Sequence, residues 1–153
     1  MKKFKLTLII TFMIATSDAQ NYKQDKQITD RIRNFYNIHC KLWATKPLTS
    51  PDKLYIKLDS LQKQYCTALL RKKAKSWFLD GHDLLTNDWG IDPESLNTLR
   101  IRKVMSKDGI YTYTISYIVK TYPVSPYDAK MERITFQLGG IIVDKKFMIN
   151  SIK

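Results

Sequence analysis

The chain has 153 residues, with 26 Lys and Arg against 14 Asp and Glu, and a formal net charge of +12. That length suits one domain with one real core. A basic field of this size favours acidic partners such as anionic lipid, polyanionic envelope sugars or an acidic protein; nucleic acid is not expected, because no nucleic-acid motif is visible and the chain opens with an export signal.

Residues 1–19 read as a cleavable signal peptide. Lys2, Lys3 and Lys5 form a basic start, Leu6–Ala15 is an apolar run, and Ser17-Asp18-Ala19 offers small residues at the two positions a signal peptidase reads. The run is shorter than the about 20 residues that a membrane span needs. Cleavage after Ala19 is therefore expected, leaving a soluble bacterial product, Gln20–Lys153, in the periplasm or outside the cell. No later segment reads as a transmembrane span. Losing three lysines and Asp18 lowers the net charge by two, to +10, so the basicity belongs to the domain itself.

Ile28, Ile32, Phe35, His39 and Leu42 recur at spacings of four and three, one stripe of an amphipathic helix widened by Tyr36 and Trp43. Pro47 marks its stop. Ser50-Pro51 reads as a cap followed by a first-turn proline. Leu54, Leu58, Leu61, Tyr65 and Leu69 then predict one second helix that ends in the basic knot Arg71–Lys75, where cations suit the helix dipole. Asp92-Pro93 starts a short helix over Glu94–Leu99.

Strands follow. Ile101–Ser106 is short, and Lys107-Asp108-Gly109 is a hairpin turn. Tyr111, Tyr113, Ile115, Tyr117 and Val119 share one face of the next strand, with Thr112, Thr114 and Ser116 on the other. Residues 120–130 read as a loop. Met131–Val143 is a long strand whose Gly139-Gly140 pair predicts a bulge or bend, and Phe147–Ile152 is the last. The order predicts a single α+β domain over 20–153, with N-terminal helices packed on a curved four-stranded antiparallel sheet.

Three stretches carry a resemblance. Arg31–Ala44 looks like an aromatic first helix, His82–Asp88 like a short motif of an aspartate, apolar residues and an amide–aspartate pair, and Ile134–Ile152 like a closing hairpin. Together they resemble the bacterial family called domain of unknown function 3828, within the cystatin-like, nuclear-transport-factor-2-like superfamily of cone-shaped domains. This chain has Asn87-Asp88 where that family usually has Gln-Asp. The resemblance implies an exported envelope protein. It implies as roles either a binding module, including immunity proteins that block cell-wall amidases, or an isomerase- or dehydratase-like enzyme working in the cone.

Residues 80–94 gather Asp80, Asp83, Asp88, Asp92 and Glu94 around His82. The segment does not fit a calcium loop of the D-x-[DN]-x-[DN]-G type. The expected role is architectural: Asp92 caps the short helix, Asp83 and Asp88 hold loop amides, and Asp80 pairs with the basic knot. As a contact surface it would use Asp83, Asn87, Asp88 and Trp89; as a catalytic pair, Asp83 and Asp88. Arg71, Lys72, Lys73 and Lys75 are a solvated helix end or a site for an acidic protein or polyanionic envelope component. Tyr111, Tyr113 and Tyr117 would line the cone if it holds a pocket, polarising a carbonyl beside an Asp base. His39 reads as a hydrogen-bonded core histidine. In a simple hairpin of the first two helices, Cys40 and Cys66 would be offset by roughly 15 Å at the helical rise, beyond the about 7 Å that a disulfide spans, so two buried thiols are expected. No cofactor or metal site is expected. A monomer and a homodimer both remain open.

Overall fold

The computed structural model describes residues 3–45, 50–88, 90–121 and 129–153, with side chains from 22 onward. Helices α1 (Lys3–Trp43), α2 (Pro51–Tyr65), α3 (Ala68–Leu79) and α4 (Pro93–Asn97) precede strands β1 (Arg100–Lys107), β2 (Ile110–Thr121), β3 (Lys130–Val143) and β4 (Lys146–Ile152). The strands form one antiparallel meander, β1-β2-β3-β4. The domain is α+β, with helices over an open four-stranded sheet. No helix among the described residues is long and apolar enough to cross a membrane.

The stripe from Ile28 to His39 is the buried face of α1, and Leu42 extends it as a partly buried residue. Its Tyr36 packs edge-on to Phe136 of β3, so the helix lies on the buried face of the sheet. The helix starts well before the stripe, and its backbone is helical through the Ala19–Gln20 bond.

The expected single second helix is two helices. Tyr65 ends α2, Cys66 turns extended (φ −116°, ψ 150°), and the Thr67 side chain caps α3 by accepting from the Leu70 amide. The break is made from a distance. Thr67 N–H donates to Ile149 O at 2.8 Å, and Cys66 forms a parallel bridge with Ile149 of β4. Two consequences follow: Leu69 is 74% exposed rather than in the stripe, and the basic knot lies in the middle of α3 rather than at a helix end. The residues between the first two helices, 46–49, lie outside the described residues.

The hairpin turns are two-residue turns with positive φ throughout. Asp108 (φ 52°) and Gly109 (φ 74°) join β1 to β2; Asp144 (φ 49°) and Lys145 (φ 63°) join β3 to β4. Such turns match the strand twist. β2 alternates as its sequence predicts, with Tyr113, Ile115, Tyr117 and Val119 buried. The bulge at Gly139-Gly140 is present, and Asn150 is the extra residue opposite it. It lets both Ile149 and Ile152, three apart, face inward. A Cβ on Gly140 would meet Phe147 Cζ at 2.1 Å, so β4 packs where only glycine leaves room. A second irregularity, between Lys103 and Met105 of β1, was not signalled by any glycine.

Candidate functional site

The acidic segment is wound inward. Asp83 caps a 3-10 turn (Leu84–Thr86): its Oδ1 accepts from the Leu85 amide at 3.1 Å and its Oδ2 from the Thr86 hydroxyl at 2.8 Å. Asp88 Oδ1 accepts from the Asp83 amide at 2.8 Å and closes the loop. Asn87 (φ 53°) and Asp88 (φ 67°) take the left-handed backbone that short polar side chains tolerate. From the core side, the Tyr36 hydroxyl donates to Leu85 O at 3.0 Å and the Tyr117 hydroxyl to Thr86 O at 3.2 Å. Asp92 caps α4 by accepting from the Ser95 amide at 2.6 Å. Trp89 lies outside the described residues. The carboxylate paired with Arg71 is Asp59, at 3.0 Å, not the expected Asp80. The reason is again the break at Cys66–Thr67, which folds α3 back beside α2.

Two histidines meet two aspartates here. His82 Nδ1 sits 2.7 Å from Asp88 Oδ2 in a half-exposed surface pair. His39 is fully buried, with Nε2 at 3.4 Å from Asp83 Oδ2. Neither of its ring nitrogens makes a hydrogen bond among the described residues, so the expected satisfied histidine is corrected. The Asp83 oxygens are already turned to the loop, which leaves His39 an electrostatic neighbour rather than a bond. Burial lowers the His39 pKa, and the negative charge of Asp83 opposes that only in part.

The tyrosines of β2 do point inward, but their hydroxyls are engaged. Tyr117 holds the loop, as above. Tyr113 donates to Asp25 Oδ1 at 2.6 Å, and Lys103 Nζ lies 3.2 Å from the same oxygen. Tyr111 accepts from Gln24 Nε2 at 3.2 Å. Burial pushes the phenols of Tyr36, Tyr113 and Tyr117 far above their ordinary range, with Asp25 adding to the effect at Tyr113. All three therefore stay neutral donors. Asp25 was missed from the sequence, although a signal existed: it lies three residues before Ile28, on the same helical stripe, where a carboxylate is out of place. A cleft of about 320 Å³ lies beside it, lined by Gln24, Asp25, Lys103, Ser106 and Tyr111. Among the described residues, no cluster of three or more His, Cys, Asp or Glu could hold a metal ion. Cys40 and Cys66 are free and buried. Burial raises the Cys40 thiol pKa and pushes that of Cys66 up to about 12.

The basic segment is arranged the other way. Arg71 is the member that faces inward, to Asp59, whose carboxyl is held below its ordinary range because the hydrogen bonds of Arg71 and Lys63 outweigh burial. Lys72, Lys73 and Lys75 are exposed; Lys75 Nζ stands 5.6 Å over the Tyr55 ring.

No protein-family model matches the sequence, and no curated protein matches it. The chain is similar in structure to a protein of unknown function from Bacteroides thetaiotaomicron VPI-5482, with a TM-score of 0.66 over 92% of this chain and 98% of that one. The two are 16% identical, so the likeness speaks for the fold alone.

Proposed function

We propose that this chain is an exported, non-enzymatic binding module of the bacterial envelope, released by cleavage after Ala19 and directed at a partner with an acidic surface. The observation that carries the reading is a contrast in commitment. The tyrosine hydroxyls and the acidic loop are bonded to the protein's own groups, while Lys72 and Lys73 project from α3 and the exposed Lys75 leans over the Tyr55 ring. The resemblance to the domain of unknown function 3828 family supports a specific form of this role, inhibition of a cell-wall amidase in the manner of an immunity protein.

The test is a pull-down with the immobilised chain against periplasmic and culture-supernatant extracts at low and moderate salt. The expected result is one protein retained at moderate salt and lost when Lys72, Lys73 and Lys75 are all changed to Glu. Retention of polyanions alone, released as salt rises, overturns the reading in favour of simple electrostatic attachment. N-terminal sequencing of the exported product checks the cleavage: a start at Gln20 is expected.

A second reading, a small isomerase- or dehydratase-like enzyme, is favoured by one observation, the Tyr113–Asp25 pair beside an open cleft. It requires small carbonyl compounds to bind there, and Asp25→Asn to abolish that binding.

A further inference from the structure

The two edges of the sheet differ. β1 carries Arg100, Arg102, Lys103 and Lys107 and is kinked near Val104, the devices that keep an edge from pairing with another chain. β4 has one charge, Lys146, at its start, and then reads Phe147–Ile152 without any. Its outer edge is only half covered. Ile149 O accepts from Thr67 N–H, and the parallel bridge to Cys66 stops there because α3 begins at Ala68. Beyond it, among the described residues, the edge is open. Gln137 and Lys153 exchange both backbone hydrogen bonds at 2.9 Å. In an antiparallel ladder such pairs alternate with pairs whose N–H and C=O turn away. Ile152, opposite Leu138, is of the second kind, so its N–H and C=O face outward.

These groups border a groove of about 600 Å³ between β4 and α3. Its floor is Asn150, Ser151 and Ile152, its far wall Lys72, Lys73 and the exposed Leu69. We infer that this groove takes an extended segment of a partner protein, which adds a strand beside β4 and turns the acidic side chains at every second position toward Lys72 and Lys73. The backbone supplies pairing, the lysines select acidic side chains, and Leu69 lies against the aliphatic stems of those same side chains. The inference rests on the binding-module reading and names the mode of that binding.

The probe is a fluorescently labelled peptide of alternating glutamate and valine, about seven residues long, the length of one strand. It is titrated into the full chain by anisotropy, with amide shifts read by NMR. Saturable binding is expected, with perturbed amides at Asn150–Ile152 and slowed exchange at the Ile152 N–H. The double variant Lys72→Glu, Lys73→Glu should bind at least about tenfold more weakly, and a peptide with a central proline should lose binding, because it cannot complete the ladder. Equal binding of the proline peptide, shifts at β1 instead of β4, or no binding of the probe overturns strand addition. So does concentration-dependent self-association that protects the Ile152 amide, since a second copy would then fill the groove. A pull-down partner that persists under any of those outcomes leaves the binding-module reading standing and removes only this mode.

Discussion

The acidic loop and the basic helix are about equally conspicuous in the sequence, and the folded chain uses them in opposite ways. Asp83 and Asp88 are surrounded by donors from their own loop, and the loop's carbonyls are taken by Tyr36 and Tyr117 from the core. In α3, Arg71 finds a carboxylate in α2, Lys75 stands over the Tyr55 ring, and Lys72 and Lys73 face solvent. What separates the two is not charge density but where the partners are. A charge whose partner is a neighbouring amide is structural, and a charge with no partner among the described residues, as at Lys72 and Lys73, is available to something else.

The sharpest way to break this comparison is Asp83→Ala. It strips the cap from the Leu85 amide and the bond to the Thr86 hydroxyl, and leaves a donor buried. A loss of about 2–3 kcal/mol is expected, read as a lower urea midpoint with an unchanged slope. If stability hardly moves, the loop is not architectural. Next come Tyr36→Phe and Tyr117→Phe. Each leaves a carbonyl without its donor and should cost about 1–2 kcal/mol, measured the same way.

A pH series sharpens the comparison further. His39 is buried beside Asp83, between the rings of Phe35 and Trp43, and its folded pKa is lowered, by burial above all. As pH falls through about 6.5, the unfolded chain takes up the proton first. Stability is thus highest above that pH and falls below it, by at most about 1.4 kcal/mol per pH unit from this one group. Unfolding midpoints of the native chain and of His39→Leu between about pH 7 and pH 5 should diverge, the variant showing the flatter profile. Parallel profiles would mean that His39 gains a proton without cost in the folded state. The smallest effect is expected on the other side of the comparison. Lys72→Glu with Lys73→Glu should change stability by no more than about 0.5 kcal/mol, checked by thermal melting, because neither side chain is committed to the fold.

Much of the fold was legible because its signals are local. Asp92-Pro93 and Asp108-Gly109 specify a helix start and a hairpin through the two or three residues beside them. The alternation through Tyr113, Ile115 and Tyr117 needs no information beyond one strand. The break between α2 and α3 was not legible for the opposite reason. The apolar spacing runs smoothly from Tyr65 to Leu69, and what interrupts it is a hydrogen bond to Ile149, more than eighty residues away. The site divides along the same line. The inward turn of Asp83 follows from Asp and Asn chemistry in a short loop. The isolation of His39 and the pairing of Asp25 with Tyr113 depend on how α1 lies across the sheet, which no short stretch encodes.

The two thiols turn the packing into a clock. Cys40 sits in α1 and Cys66 at the junction where α2 gives way to β4 and α3, and both are buried. A thiol held at a pKa of about 12, as Cys66 is, reacts with an alkylating reagent only when its surroundings part. The labelling rate of each cysteine therefore counts openings at its own location, without any engineered probe. Equal rates at both would describe a molecule that opens as one piece. A faster Cys66 would locate a seam at the junction of α2, α3 and β4.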